Sequence, residues 1–139
     1  MSYTAYWGTE ANNFGDVLNK NLLQHFNINF THSLLPNESN LFATGSVARL
    51  VKRDDSIILG SGAIRYNENY NPKADWKFVR GPITRDILIH SGGNCDPIYC
   101  DPALFLPKLV DESDKKHEVG IVPHYKNFQR VKSQYPDHH

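Results

Sequence analysis

Short apolar runs alternate with helix-periodic stretches along this chain, a pattern that predicts βα units. Residues 3–7 are aromatic-rich and read as a first strand, followed by a polar, turn-prone loop over 8–13. Val17, Leu18, Leu22, Leu23 and Phe26 recur at helical spacing, which predicts a helix over 16–26. Residues 27–30 alternate as a short strand would. Residues 41–45 form a small strand ending on Gly45, and Ser46 is a good cap for a helix running to Lys52.

The clearest strand is 56–60, where Ile57, Ile58 and Leu59 make an unbroken aliphatic run. That pattern belongs to a parallel strand covered on both faces. Residues 77–80 read as another strand. Pro82 then stands where the first turn of a helix tolerates it, with the helix continuing over 83–90 and ending in the turn 91–94. Residues 101–107 are a short structured segment bracketed by prolines. Residues 108–117 are charged and aperiodic, the composition of a linker. A fresh strand is expected over 118–122 and a helix over 127–135. The expected organisation is a domain over 1–107, a linker over 108–117 and the start of a second domain over 118–139. The expected fold class is α/β, with a mainly parallel sheet flanked by helices.

Composition changes this picture little. With 40% apolar and 22% charged residues over 139 positions, the chain has the make-up of a globular domain with a real core. Lysine plus arginine equals aspartate plus glutamate at 15 each, so no bulk field draws the chain onto nucleic acid or an anionic membrane. An anionic ligand must be held by a few placed groups. No segment is long and apolar enough to span a bilayer, and the start lacks a basic-then-apolar leader, so the expected location is the cytoplasm. Cys95 and Cys100 are too few for a disulfide framework and fit neither a redox pair nor a zinc knuckle. The terminal His138-His139 pair has no fixed geometry for a metal, and no metal is expected.

Four places could carry chemistry. In an open α/β sheet ligands bind beyond the carboxyl ends of the strands. Residues 12–16 (Asn12-Asn13-Phe14-Gly15-Asp16) fall there, after the first strand. Gly15 permits close approach of a ligand, while Asp16 reads either as a helix cap or as a cleft carboxylate. Gly60-Ser61-Gly62 follows the strongest strand and reads either as a plain turn or as amides lining a pocket. Arg80-Gly81-Pro82 puts a guanidinium beside an open helix start, a fit for phosphate or carboxylate. A structural ion pair is the other reading, with Asp101 as a candidate partner, and Asp101 could equally cap the turn before Pro102. His124 leaves the strand expected over 118–122 and reads either as a structural histidine or as an acid or base.

Together these segments resemble one family. Asn13-Phe14-Gly15-Asp16 with Leu18 resembles the opening motif of the polysaccharide pyruvyl transferases. Gly60-Ser61-Gly62, then Arg80-Gly81-Pro82 with Thr84 and Leu88, resembles their central block. Asp101-Pro102-Ala103-Leu104, followed by Gly120 to Tyr125, is similar to the stretch joining their two domains. The Tyr6-Trp7 opening is similar to members that decorate bacterial exopolysaccharides.

The resemblance implies two Rossmann-like domains in a glycosyltransferase-B-like arrangement. It implies transfer of a pyruvyl group from phosphoenolpyruvate to two hydroxyls of a saccharide acceptor, free or lipid-linked at the inner face of the membrane. No cofactor beyond that donor is implied. Arg80 and Gly81, with Gly60, Ser61 and Gly62, would hold the donor's anionic groups. Asp16 and His124 would be catalytic, and Asn13 and Gly15 would wall the acceptor cleft. Family members run to two domains of ordinary size, so this chain is expected to be an incomplete, inactive part. Residues 118–135 would then lack their own sheet, and the readings are packing on the first domain's edge, pairing with another chain, such as a second copy, or disorder. The alternatives are a domain using a sugar nucleotide and a non-catalytic module binding a sugar or anion.

Overall fold

The computed structural model describes residues 2–8 and 13–135. Its centre is a five-stranded, all-parallel sheet of β1 (Tyr3–Tyr6), β2 (Phe30–Ser33), β3 (Leu41–Phe42), β4 (Ile57–Leu59) and β5 (Asp75–Phe78), in the order β2-β1-β3-β4-β5. Helix α1 (Phe14–His25) joins β1 to β2, and α2 (Pro82–His90) follows β5. The fold is α/β and Rossmann-like. A single parallel bridge between Val79 and Tyr99 extends the sheet beyond β5.

The alternation of side chains along each strand explains the layers. Ala5, Trp7 and Leu41 pack with Leu23 of α1 on one face, joined by Ile57 and Leu59. Phe42, Ile58, Trp76 and Val79 pack with Ile87 and Leu88 of α2 on the other. Successive residues point to opposite faces, so a strand covered on both sides must be apolar at every position. That accounts for the unbroken Ile57-Ile58-Leu59 run.

Several expectations change in detail. The α1 stripe narrows to Leu18, Asn19, Leu22 and Leu23, while Val17 and Phe26 stand 52% and 46% exposed. The strand expected over 27–30 begins at Phe30, and the one expected over 77–80 is β5, two residues earlier. The helix expected after Ser46 shrinks to a 3-10 turn, Ala48–Leu50. Ser46 does not cap it: the cap position is Val47, with no side-chain bond, and the Ser46 hydroxyl turns instead to Arg80.

Residues 118–122 form no strand. A strand is stable only when its amides pair across a ladder, and no neighbouring strand is offered to this segment among the described residues. The helix expected next does form, as α3 (Phe128–Gln134), preceded by a 3-10 turn at Tyr125–Asn127 on which it packs. α3 buries no residue. Cys95 and Cys100 are free thiols, one buried and one half-buried, and burial pushes the Cys95 thiol up from its ordinary value. No described helix is long and apolar enough to cross a membrane.

Candidate functional site

The strand order reverses direction between β1 and β3, because the chain steps from β1 outward to β2 and then back past β1 to β3. At such a switch point the loops leaving the two strands diverge and open a crevice at their carboxyl ends. Gly8 follows β1 there, and Thr44, Gly45 and Ser46 follow β3.

α1 starts at this crevice. Asn13 is its N-cap, its side-chain oxygen accepting from the Gly15 amide at 2.9 Å. Asp16 therefore does not occupy the cap position. It sits in the first turn with its carboxylate toward the strand ends: a Cβ built on Gly8 would lie 3.6 Å from its Oδ2, and one on Gly45 3.9 Å from its Oδ1. Burial raises the Asp16 carboxyl above its ordinary value, partly offset by a hydrogen bond from the Gly8 amide. A raised carboxylate is a stronger base than a solvated one, the property a proton acceptor needs. A charged form disfavoured by folding has a second consequence. Because the folded-state value lies above the unfolded one, Asp16 weakens stability as pH rises through that interval. Asp16→Asn should therefore raise Tm at pH 7, with the gain shrinking as pH falls through the raised folded-state value toward about 4 and gone below that, where Asp16 is protonated in both states. Thermal unfolding of both proteins across pH 3–7 tests the sign, and a Tm loss at pH 7 would refute it.

Asn19 holds α1 in register with the sheet. It is 1% exposed, and its amide nitrogen donates to the carbonyls of Gly15, Asp16 and Thr44, each at 3.2 Å. Its oxygen accepts from the Thr44 amide at 3.0 Å. An interior helical asparagine is a poor helix former, and that mismatch was the one sequence signal that could have marked it. Asn19→Ala strands the buried Thr44 amide and should cost about 2 kcal/mol, read as a shift in urea midpoint. A loss below about 0.5 kcal/mol would show that water replaces the clamp.

The second half of the site lies two strands beyond β3, at the carboxyl end of β5. Arg80 follows β5, and its Nη1 donates to Ser46 Oγ at 3.0 Å. Its Nε is 2.9 Å from Asp101 Oδ2, an ion pair in which the N–H is not directed along the contact. The other Asp101 oxygen accepts from the Ala103 amide at 3.0 Å, so Asp101 is both the arginine's partner and the cap of the 3-10 segment Pro102–Lys108. Ser46 follows Gly45, whose neighbour is the Asp16 carboxylate, so Arg80 and Asp16 are linked through these two residues along the carboxyl edge of the sheet.

The three residues of the Gly60-Ser61-Gly62 turn have separate roles. Gly60 has φ +82° and faces backbone: an added Cβ would come within 2.6 Å of the Cys100 carbonyl. Ser61 is fully buried, and its hydroxyl donates to the Ala43 carbonyl at 2.7 Å, which closes it to any ligand. Gly62 touches the site directly, since a Cβ there would lie 3.1 Å from Arg80 Nη1.

Gly62, Arg65, Tyr66, Arg80, Gly81 and Thr84 line an open groove of about 290 Å³ at the start of α2. Gly81 is the extended N-cap of α2 and Pro82 its first residue. The first helical amide to bond back is that of Arg85, to the Gly81 carbonyl at 3.3 Å, which leaves the Ile83 and Thr84 amides at the open end. The wall opposite is fixed by Glu68. One of its oxygens accepts from the Ile64 and Arg65 amides at 3.1 Å, and the other from the Tyr70 hydroxyl at 2.9 Å. Burial and the adjacent Glu68 carboxylate raise the Tyr70 hydroxyl well above its ordinary value, so it stays a donor.

The remaining expected site residues do not join this group in the same way. His124 lies on an exposed, irregular stretch, where its Nδ1 accepts from the Lys126 amide at 3.3 Å. The strand end expected to present it is absent. Asn12 and the His138-His139 pair lie outside the described residues. Among the described residues no group of His, Cys, Asp and Glu has the clustering to hold a metal ion. No protein-family model, no curated protein and no solved structure matches this chain.

Proposed function

We propose that this chain carries one wall of the active cleft of a pyruvyl transferase, which moves the pyruvyl group of phosphoenolpyruvate onto two hydroxyls of a saccharide as a cyclic ketal. The observation that carries this reading is the placement of opposite chemistries along the carboxyl edge of the sheet, linked through Gly45 and Ser46. Arg80 stands beside the open amides of α2, and the raised Asp16 carboxyl lies next to Gly45 and so one residue from Arg80's partner Ser46.

The chemistry needs both. A proton added to the methylene carbon of phosphoenolpyruvate makes its central carbon electrophilic. One sugar hydroxyl adds there and gives up its proton; the second displaces phosphate and gives up its own. Two protons leave the hydroxyls, one enters the new methyl group, and the other departs with the phosphate. Arg80 Nη2 and the Ile83 and Thr84 amides suit the donor's carboxylate or phosphate, whose charge shifts as the reaction proceeds. Asp16 suits the role of base toward an acceptor hydroxyl, with Asn13 and Gly15 forming the cleft wall beside it. His124 suits proton transfer to the donor or donor binding. The acceptor is a saccharide of a bacterial exopolysaccharide or its lipid-linked precursor, and the setting is the cytoplasm or its membrane face.

Ligand-dependent melting tests the reading. Phosphoenolpyruvate should raise Tm, while uridine- and guanosine-diphosphate sugars should not. A rise with a sugar nucleotide alone would move the assignment to a glycosyltransferase-like domain. A rise with free saccharide alone would move it to a binding module. In the full product of the gene, phosphoenolpyruvate and a panel of saccharide acceptors should yield the pyruvyl ketal and free phosphate. No ketal across a broad panel would overturn the proposal.

A further inference from the structure

We propose that Asp101 is the positioning residue for Arg80, holding its guanidinium so that Nη2 faces the groove and meets the donor's anionic group; this rests on the donor reading of Arg80 above. Arginine is long and rich in rotamers, so an unrestrained guanidinium must be ordered when a ligand arrives, at a cost to affinity. Here the ordering is already done. Asp101 Oδ2 lies 2.9 Å from Nε, and Ser46 Oγ accepts from Nη1 at 3.0 Å. Gly62 provides the room, since a side chain there would begin 3.1 Å from Nη1. No bond from Nη2 to another group is present among the described residues, and Arg80 lines the groove.

Asp101 is itself anchored. Its second oxygen accepts from the Ala103 amide at 3.0 Å, at the start of the segment Pro102–Lys108. That segment packs against α1, where Phe105 meets Phe26 edge-on with ring centroids 5.0 Å apart. The carboxylate that aims the arginine is thus fixed to the helix that carries Asp16. A carboxylate next to the arginine also repels an incoming anion. Asp101 would weaken binding if repulsion outweighed ordering, so the sign of its effect decides between the two roles.

Asp101→Asn removes the charge and keeps an oxygen able to cap Ala103, since asparagine and aspartate cap equally well. Amide resonances of the whole chain are followed during titration with phosphoenolpyruvate, with Tm measured in parallel. The unsubstituted chain should show saturable shifts at Ile83 and Thr84 and a single sharp Arg80 Nε–H signal, because the guanidinium is held in one orientation. Asp101→Asn should raise Kd about tenfold, broaden the Arg80 Nε–H signal, and leave Tm within about 2 °C. Unchanged or tighter binding in Asp101→Asn, with saturable shifts in the unsubstituted chain, overturns the positioning role and leaves the donor site standing. No saturable shift in the unsubstituted chain removes the donor reading and this inference together. If Asp101→Asn unfolds, Asp101→Glu replaces it: it retains the charge but displaces it, so unchanged affinity there overturns the positioning role.

Discussion

Arg80→Ala should abolish measurable phosphoenolpyruvate binding, with Kd raised by about a hundredfold or more, while the domain stays folded. A charge-assisted contact to an anion is the strongest single interaction the groove offers, and no second cation is fixed beside it. Arg65 lines the same groove, but its side chain has no described ion-pair partner to hold it there. The stability cost should be small. The Arg80 and Asp101 side chains are 35% and 29% exposed, so solvent screens the ion pair to about 1 kcal/mol or less, a few degrees in Tm. Arg80→Lys should recover only part of the affinity, because an ammonium cannot address Ser46, Asp101 and a ligand from one plane. A variant that loses its cooperative melt, while residual folded protein binds the donor unchanged, would make Arg80 a structural residue and remove the proposed site.

Gly60→Ala should be the most destabilising of the glycine substitutions around the site, by about 3 kcal/mol. Its φ of +82° is unfavourable for any residue with a Cβ. The added atom would also meet the Cys100 carbonyl and Pro102 Cδ, each at 2.6 Å, and Phe78 Cε2 at 2.9 Å. Backbone and a proline ring cannot swing aside as a flexible side chain would. The strain should release by pushing the 100–102 segment off the sheet, which breaks the bond from the Cys100 amide to the Val79 carbonyl at 3.1 Å. Tm should fall by roughly 10 °C, and hydrogen exchange at Cys100 should accelerate. Gly81→Ala is the control: its φ of −167° is ordinary extended backbone, nothing lies within 4 Å of an added Cβ, and Tm should barely move. A Gly60→Ala protein that melts within about 2 °C of the parent would show that the 100–102 segment is loosely held. Because Asp101 lies in that segment, such looseness would also weaken the case for its hold on Arg80.

Much of the architecture was legible from the chain because its signals are local. The Ile57-Ile58-Leu59 run marked β4, as a two-sided strand must be apolar throughout. Pro82 marked the start of α2, since its missing N–H costs nothing in a first turn. Leu18, Leu22 and Leu23 marked the buried side of α1. The same locality explains what failed. Residues 46–52 have a cap candidate and apolar positions, yet only a 3-10 turn forms there, and the Ser46 hydroxyl accepts from Arg80, far away in sequence, instead of capping. Residues 118–122 have strand composition, but strand formation depends on a partner that composition does not supply.

The sequence by itself determined the residue types of the site: an asparagine, a glycine and an aspartate near the start of the first helix, a glycine turn after the strongest strand, and an arginine before a helix that opens on proline. Only the tertiary structure decided what each does, because the contacts that settle it join residues distant along the chain. It showed that Asn13 rather than Asp16 caps α1, freeing Asp16 to face the strand ends. It separated Gly60-Ser61-Gly62 into a backbone crossing, a buried hydroxyl and a seat for the guanidinium. It resolved the two readings of Asp101 by giving one carboxylate oxygen to each. A carboxylate with two oxygens can satisfy two partners at once, and which partners they are depends on how the strand ends converge in space.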